Sequence, residues 1–131
     1  MSAAGVDQAG YARQYSYAEE RATARMRQRL TMAGCVSAEA TAGSLSRALR
    51  GWKPGRDAVA LVQTMAGVDE DTARAAVAAW LAGIDEHARA LRSLAQSHGI
   101  YTPEGRPIMR AAARLDEHRT AIEESLRGVA S

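Results

Sequence analysis

The chain has 131 residues and a formal net charge of +2, with only three prolines and no phenylalanine. A net charge this small does not imply a polyanion partner. The length favours one domain whose core needs no disulfide or metal, so we predict a single helical domain over residues 1–131, with a loose lead-in at residues 1–6. Because alanine is the commonest residue, we predict an all-α fold of about five helices.

Cysteine usage and hydropathy indicate the compartment. Cys35 is the single cysteine, which excludes an internal disulfide and fits a reducing environment. No apolar run approaches a membrane span, and residues 1–7 lack a signal pattern. We therefore expect cytoplasmic residence and no membrane contact. The excess of Arg over Lys is typical of a high-GC genome, such as that of an actinobacterium, or of its phage, which would add the virion as a location.

Charge is distributed unevenly along the chain. Residues 1–56 hold nine Arg or Lys and four Asp or Glu, a balance of +5, whereas residues 57–131 hold eight and eleven, a balance of −3. Such asymmetry can serve self-association or an acidic partner.

The first predicted helix runs from about Asp7, which could cap it, to about Ala33. Apolar residues at spacings of three and four give it one face, formed by Tyr11, Tyr15, Ala18, Ala22, Met26 and Leu30. A neighbouring row of Arg21, Arg25 and Arg29 should face solvent or a partner.

Two shorter helices should follow. Ser37 is expected to cap a helix that ends at about Arg50, and a glycine- and proline-containing turn at 51–55 should separate it from a third helix over about 56–66. The third helix should bury Ala58, Leu61, Val62 and Met65.

The last two predicted helices carry apolar residues every seven positions. Asp69 should cap a helix to about His98, and Pro107 should open a helix that ends near Arg127. If the chain folds back about Pro103, within the breaker-rich segment 99–107, the two rows meet as the pairs His98–Ile108, Leu91–Leu115, Ile84–Ile122 and Val77–Val129. This offset agrees with the turn that the breakers mark independently, so we predict a long antiparallel hairpin, about 69–98 and 107–127, braced by the long first helix.

The predicted register places His87 opposite His118 to within one residue. Two imidazoles could begin a zinc or iron site, but the residues three and four positions away on either helix are not metal ligands. We therefore predict no metal site and no cofactor. Instead, we expect a pH-sensitive pair, because protonating both side chains near pH 6 would bring like charges together.

Charged residues beside these histidines should form ion pairs across the hairpin. The predicted pairs join Glu86 to Arg119, and Arg89 to Asp116 or Glu117.

Residues 58–74 contain a short helix, a turn at Gly67 and a second helix, and so resemble the helix-turn-helix of bacterial repressors. The resemblance implies that the start of the second helix enters the DNA major groove. Asp69, Glu70 and Asp71 would then meet phosphates, which argues against duplex reading.

Basic residues in the first half are candidates for partner contact, namely Arg21, Arg25, Arg27, Arg29, Arg47, Arg50, Lys53 and Arg56. With Trp52, they could hold a nucleic-acid backbone by charge and stacking. The alternatives are a solvated helix face and docking against the acidic half of another copy.

A second seven-residue row, formed by Trp80, His87, Leu94 and Tyr101, should pack against the first three helices. No catalytic motif is evident, since Cys35 has no histidine partner at a readable distance. We therefore predict a non-enzymatic interaction or assembly protein that self-associates through helix faces, with the Tyr11/Tyr15 helix or the Arg21/Arg25/Arg29 row as its contact. A nucleic-acid-binding accessory protein is the alternative.

Overall fold

The computed structural model describes residues 19–128, and this part consists of five helices and no strand. The predicted all-α fold is therefore confirmed. The helices are α1 (residues 19–32), α2 (Ala38–Arg50), α3 (Ala58–Ala66), α4 (Glu70–His98) and α5 (Gly105–Gly128). The lead-in at 1–6, the predicted helix start at Asp7, and Val129 lie outside the described residues.

Side-chain caps set the starts of α3 and α4. The Asp57 carboxylate accepts a hydrogen bond from the Ala60 backbone N–H at 3.1 Å, and that of Asp69 accepts one from the Thr72 backbone N–H at 2.7 Å. Each cap satisfies a donor that has no partner inside its helix. Ser37 occupies the predicted N-cap position of α2, but its side chain makes no capping hydrogen bond.

The α4–α5 turn is shorter than predicted, because α5 begins at Gly105 and not at Pro107. The Thr102 hydroxyl accepts a hydrogen bond from the Gly105 N–H at 3.0 Å and donates one to the Gly99 carbonyl oxygen at 2.7 Å. A Cβ atom at Gly105 would overlap the Gly99 carbonyl oxygen. The helix can therefore start close to the end of α4 only with glycine at this position.

The contact between α4 and α5 follows the predicted register. Ile84 and Leu91 on α4 and Leu115 and Ile122 on α5 are all buried. Two ion pairs cross the hairpin beside these positions, joining Arg119 to Asp85 and Arg92 to Asp116. The ion pairs predicted for Glu86 and Arg89 are therefore wrong.

The rung nearest the turn also differs from the prediction. His98 is exposed, whereas Ala95 is fully buried and Ile108 nearly so. Because α5 starts at once after a tight turn, a small alanine suits the narrow space between the two helices better than an imidazole.

The first two helices form a second antiparallel pair. Glu19 is ion-paired with Arg50 at 2.9 Å, and the hydroxyls of Thr23 and Ser46 lie 2.5 Å apart. The Thr23–Ser46 pair lies nearer the α1–α2 turn than the Glu19–Arg50 pair and joins residues that are closer in sequence, as an antiparallel arrangement requires. Ser46 is the one buried polar residue of the described core, and the contact with Thr23 gives its hydroxyl a hydrogen-bond partner.

The α1 helix braces the hairpin by close backbone contact. Ala22, Met26 and Leu30 are completely buried, which confirms this part of the predicted apolar face. A Cβ atom built on Gly83 of α4 would lie 2.5 Å from the Ala22 Cα atom. The two backbones therefore meet where neither helix carries a large side chain.

Replacing Gly83 with alanine should lower the free energy of unfolding by at least about 1 kcal/mol, because the obstructing atoms are backbone and cannot rotate away. Gly43→Ala is the matched control, since a Cβ atom there meets nothing within 4 Å. That change should stabilise α2 by up to about 1 kcal/mol through helix propensity. Urea denaturation of both variants checks this, and equal stabilisation by the two would contradict the close approach.

Candidate functional site

Four of the candidate arginines bind carboxylates within the chain, including Arg27, whose guanidinium lies 4.0 Å from the Glu39 carboxylate. Arg21 and Arg25 reach the Glu86 carboxylate from α1, at 2.7 Å and 2.6 Å, and Arg50 binds Glu19. The hydrogen bond from Arg25 holds the pKa of Glu86 below its usual value. Much of the basic charge predicted for partner contact is therefore already neutralised.

The other predicted contact residues divide into exposed and buried ones. Arg29, Arg47 and Lys53 are exposed. Trp52 is only 7% exposed, and its indole N–H donates a hydrogen bond to the Arg56 carbonyl oxygen at 3.1 Å. Trp52 is thus a core residue whose ring is not presented for stacking. The predicted contacts Tyr11 and Tyr15 lie outside the described residues.

An open groove of about 770 Å³ lies between the end of α2 and α3. Its lining is formed by Ala48, Gly51, Trp52, Lys53, Arg56, Asp57, Ala60, Leu61 and Thr64. Asp57 already caps α3, which leaves Lys53 and Arg56 as solvated cations on its rim. The groove therefore offers weak attraction to anions and no group placed for proton transfer.

The short α3 and the start of α4 keep the helix-turn-helix outline only in part. Gly67 has φ 66° and ends α3, but α4 then continues for 29 residues. Glu70 and Asp71 are exposed in its first turn. Because these acids would face phosphates, the structure gives no support to duplex reading by this segment.

His118 connects α5 to the end of α2. Its Nε2 atom lies 2.7 Å from the Leu49 carbonyl oxygen, and since a carbonyl only accepts, Nε2 carries the proton and donates. The ring makes edge contacts with Trp80 and Trp52, at centroid distances of 5.8 Å and 6.5 Å. His87, the other member of the predicted pair, is half-buried on α4.

Burial lowers the pKa of His118, and the hydrogen bond to Leu49 opposes part of this shift. The neutral imidazole is therefore favoured in the folded protein. Nearby, the Trp80 indole N–H is buried without a hydrogen-bond partner among the described residues, which adds a desolvation cost at the same place.

The buried face of α4 changes width along the helix. Seven residues between Ala73 and Ile84 are buried, and at 100° per residue they cover about 160° of the circumference. Only Ala88, Leu91 and Ala95 are buried farther on, within about 60°. We call residues 88–115 the distal hairpin; there, α4 buries only the stripe that faces α5.

The flank row, Trp80, His87, Leu94 and Tyr101, passes from the covered part of the molecule to this uncovered one. Trp80 is 2% exposed, His87 is half-buried, and Leu94 is 36% exposed. Tyr101 is 80% exposed and, because α4 ends at His98, it lies in the following turn beside the 37%-exposed Ile100. Trp80 is buried as predicted, with its ring against His118 of α5, whereas the prediction that the row is covered is wrong for Leu94 and Tyr101.

Other exposed apolar side chains are Met32 and Val36, which flank the α1–α2 turn, and Met65 at the end of α3. Met65 was expected in the core, but it is 45% exposed because α3 buries Ala58, Val59 and Val62 instead. Such residues are ordinary on protein surfaces. The flank row differs from them because it continues directly from a buried tryptophan.

Sequence periodicity identified the flank row but not the point along α4 beyond which the other helices no longer bury it. It also missed a basic row on α5, formed by Arg106, Arg110 and Arg114, all exposed. Their four-residue spacing was visible in the sequence. Residues 57–131 have a negative net charge as a whole, and a balance over so long a segment does not reveal a positive face on one helix.

Comparison with known proteins identifies no relative, because no protein-family model, curated protein or solved structure matches the chain. Within residues 19–128, no three His, Cys, Asp or Glu side chains converge as a metal site would require. None of the helices in this part combines the length and apolar character needed to cross a membrane.

The free energy of unfolding should fall as the pH drops from about 7.5 to 5.5. Because burial holds the folded-state pKa of His118 below its unfolded value of about 6.5, the unfolded chain binds more protons in this range. Thermal unfolding across the range measures the effect, and His118→Gln should reduce the slope. Equal slopes for the native protein and His118→Gln would contradict this reading.

Proposed function

We propose that the chain is a non-enzymatic helical interaction protein that self-associates through its helix faces. The observation that carries this proposal is the loss of cover along the flank row. Trp80 is buried by the protein's own helices, while Leu94 continues the same row of α4 into solvent. Exposed apolar side chains that continue a core are typical of a surface that a partner completes.

A second copy of the chain is the proposed partner. A two-fold contact presents the same surface from both molecules, so an elongated apolar row on one helix can pack against itself. Beside Leu94, α4 exposes the small residues Ala90, Ser93 and Ser97. Small side chains let another helix approach closely, while the seven-residue spacing of the flank row suits helix packing.

The polar side chains around the described cavities support a non-enzymatic role. Asp57 is occupied in capping α3, and Glu86, on a second cavity, is bound by Arg21 and Arg25. Groups held in this way are structural, and the other charged side chains on the cavities, including Glu20 and Glu124, are exposed. The proposal includes cytoplasmic residence, because the single cysteine, Cys35, fits a reducing compartment.

The nucleic-acid alternative, placed on the basic first half, has less support. Arg21, Arg25 and Arg50 bind carboxylates of this chain, and Trp52 is buried. A phosphate backbone would have to displace these ion pairs before binding there.

Changing Leu94 to glutamate should shift self-association to higher concentration by at least about tenfold. Burying a leucine contributes about 1.5 kcal/mol or more, and each 1.4 kcal/mol is a factor of ten in Kd. Sedimentation equilibrium over about a hundred-fold range of concentration measures the shift. A wild-type chain that stays monomeric throughout would overturn the proposal.

Met65→Glu is the matched control, since it places the same charge on an exposed apolar residue away from the flank row. Met65→Glu should leave the average molecular mass measured by sedimentation equilibrium unchanged. Arg29→Glu tests the predicted arginine row separately, because changing Arg21 or Arg25 would also leave Glu86 facing new negative charge. If Arg29→Glu dissociates the complex and Leu94→Glu does not, the contact lies on α1.

A further inference from the structure

A row of three exposed arginines runs along the outer face of α5. Arg106, Arg110 and Arg114 follow one another at four-residue intervals, and none forms an ion pair with a described residue. Successive members are about 6 Å apart along the helix axis and drift by about 40° around it, so they form one continuous strip. We call these three residues the arginine row.

The arginine row is distinct from the other basic side chains. Arg74, Arg92, Arg119 and Arg127 bind carboxylates on α4 or α5. The unpaired cations of the first half, Arg29, Arg47, Lys53 and Arg56, are spread over α1, α2 and the α2–α3 connection. Arg89, exposed on α4, has no such neighbour in line with it. Among residues 19–128, the arginine row is therefore the one place where three guanidinium groups without a carboxylate partner align on one helix.

The surroundings of the arginine row include two acids and one aromatic side chain. Glu104 and Glu117 are exposed near its two ends, but no carboxylate lies between Arg106 and Arg114. Tyr101 is 80% exposed in the turn that precedes α5. Like charges at four-residue spacing disfavour the free helix, so an anionic ligand would relieve a repulsion built into the chain.

We propose that this face of α5 binds single-stranded nucleic acid, with the arginine row on successive phosphates and Tyr101 stacking against a base. The planar guanidinium donates two parallel hydrogen bonds to phosphate oxygens, which gives phosphates an advantage over single carboxylates. Exposed aromatic side chains next to a basic strip are the usual means of holding unpaired bases. The site lies on α5 and not on the basic first half.

Fluorescence anisotropy with a labelled oligo(dT) tests the proposal on the full chain. Three phosphate contacts predict a slope of about −2 for log K against log salt, which weakens binding roughly 20-fold between about 50 and 200 mM salt. Arg110→Gln should reduce the magnitude of the slope by about 0.7. Tyr101→Ala should weaken binding of the oligonucleotide more than binding of a duplex of the same length.

Arg74→Gln is the matched control, because it removes the same charge from a half-buried arginine that binds Glu70 on α4. It should leave both affinity and slope unchanged, and circular dichroism would verify that each variant is folded. The proposal is overturned if the wild-type chain does not bind at low salt. It is equally overturned if Arg110→Gln and Arg74→Gln behave alike, or if poly(glutamate) competes as well as unlabelled oligo(dT), which would indicate an acidic protein partner.

Discussion

The packing of α4 against α5 in one fixed register is the constraint on which the rest of the structure depends. The register is set at the turn, where the Thr102 hydroxyl joins the two helices and Gly105 passes against the Gly99 carbonyl oxygen. Once this closure is made, Leu91 and Leu115 face each other and bury against the seam. Local hydrogen bonds therefore determine which side chains meet over the whole length of a 29-residue helix.

The position of α1 follows from a second constraint, the close approach of two backbones at Ala22 and Gly83. Because α1 lies here, Glu86 faces two arginines of α1 and is not available to α5. The ion pairs across the hairpin form instead through Asp85, one position before Glu86, and through Arg92, three positions after Arg89. One small residue on α4 thus decides which charges are neutralised inside the molecule and which stay on its surface.

These two constraints leave the surface divided. The first part of α4 is covered on two sides, whereas the distal hairpin buries only its seam. Leu94 and Tyr101 are exposed for this reason, although the same row begins with a fully packed Trp80. On the other side, α5 turns the arginine row outward, because its buried apolar residues face α4 and the other helices. The apolar flank row and the basic α5 face therefore suit different partners, and the proposals assign one to each.

The sequence by itself determined the helices and the hairpin register. It also determined the buried face of α1, as far as Ala22, Met26 and Leu30 show it. These features depend on periodicity, caps and breakers, which act within one element or across one turn. Ile84, Leu91, Leu115 and Ile122 were all correctly placed in the seam. Only the tertiary structure decided how far the cover of α1, α2 and α3 extends along α4. It also decided that Arg21, Arg25 and Trp52 are engaged within the chain. The physical reason is that burial and ion pairing depend on which elements approach from outside the hairpin, and that approach depends on contacts such as Ala22 with Gly83, which no repeat in the sequence encodes.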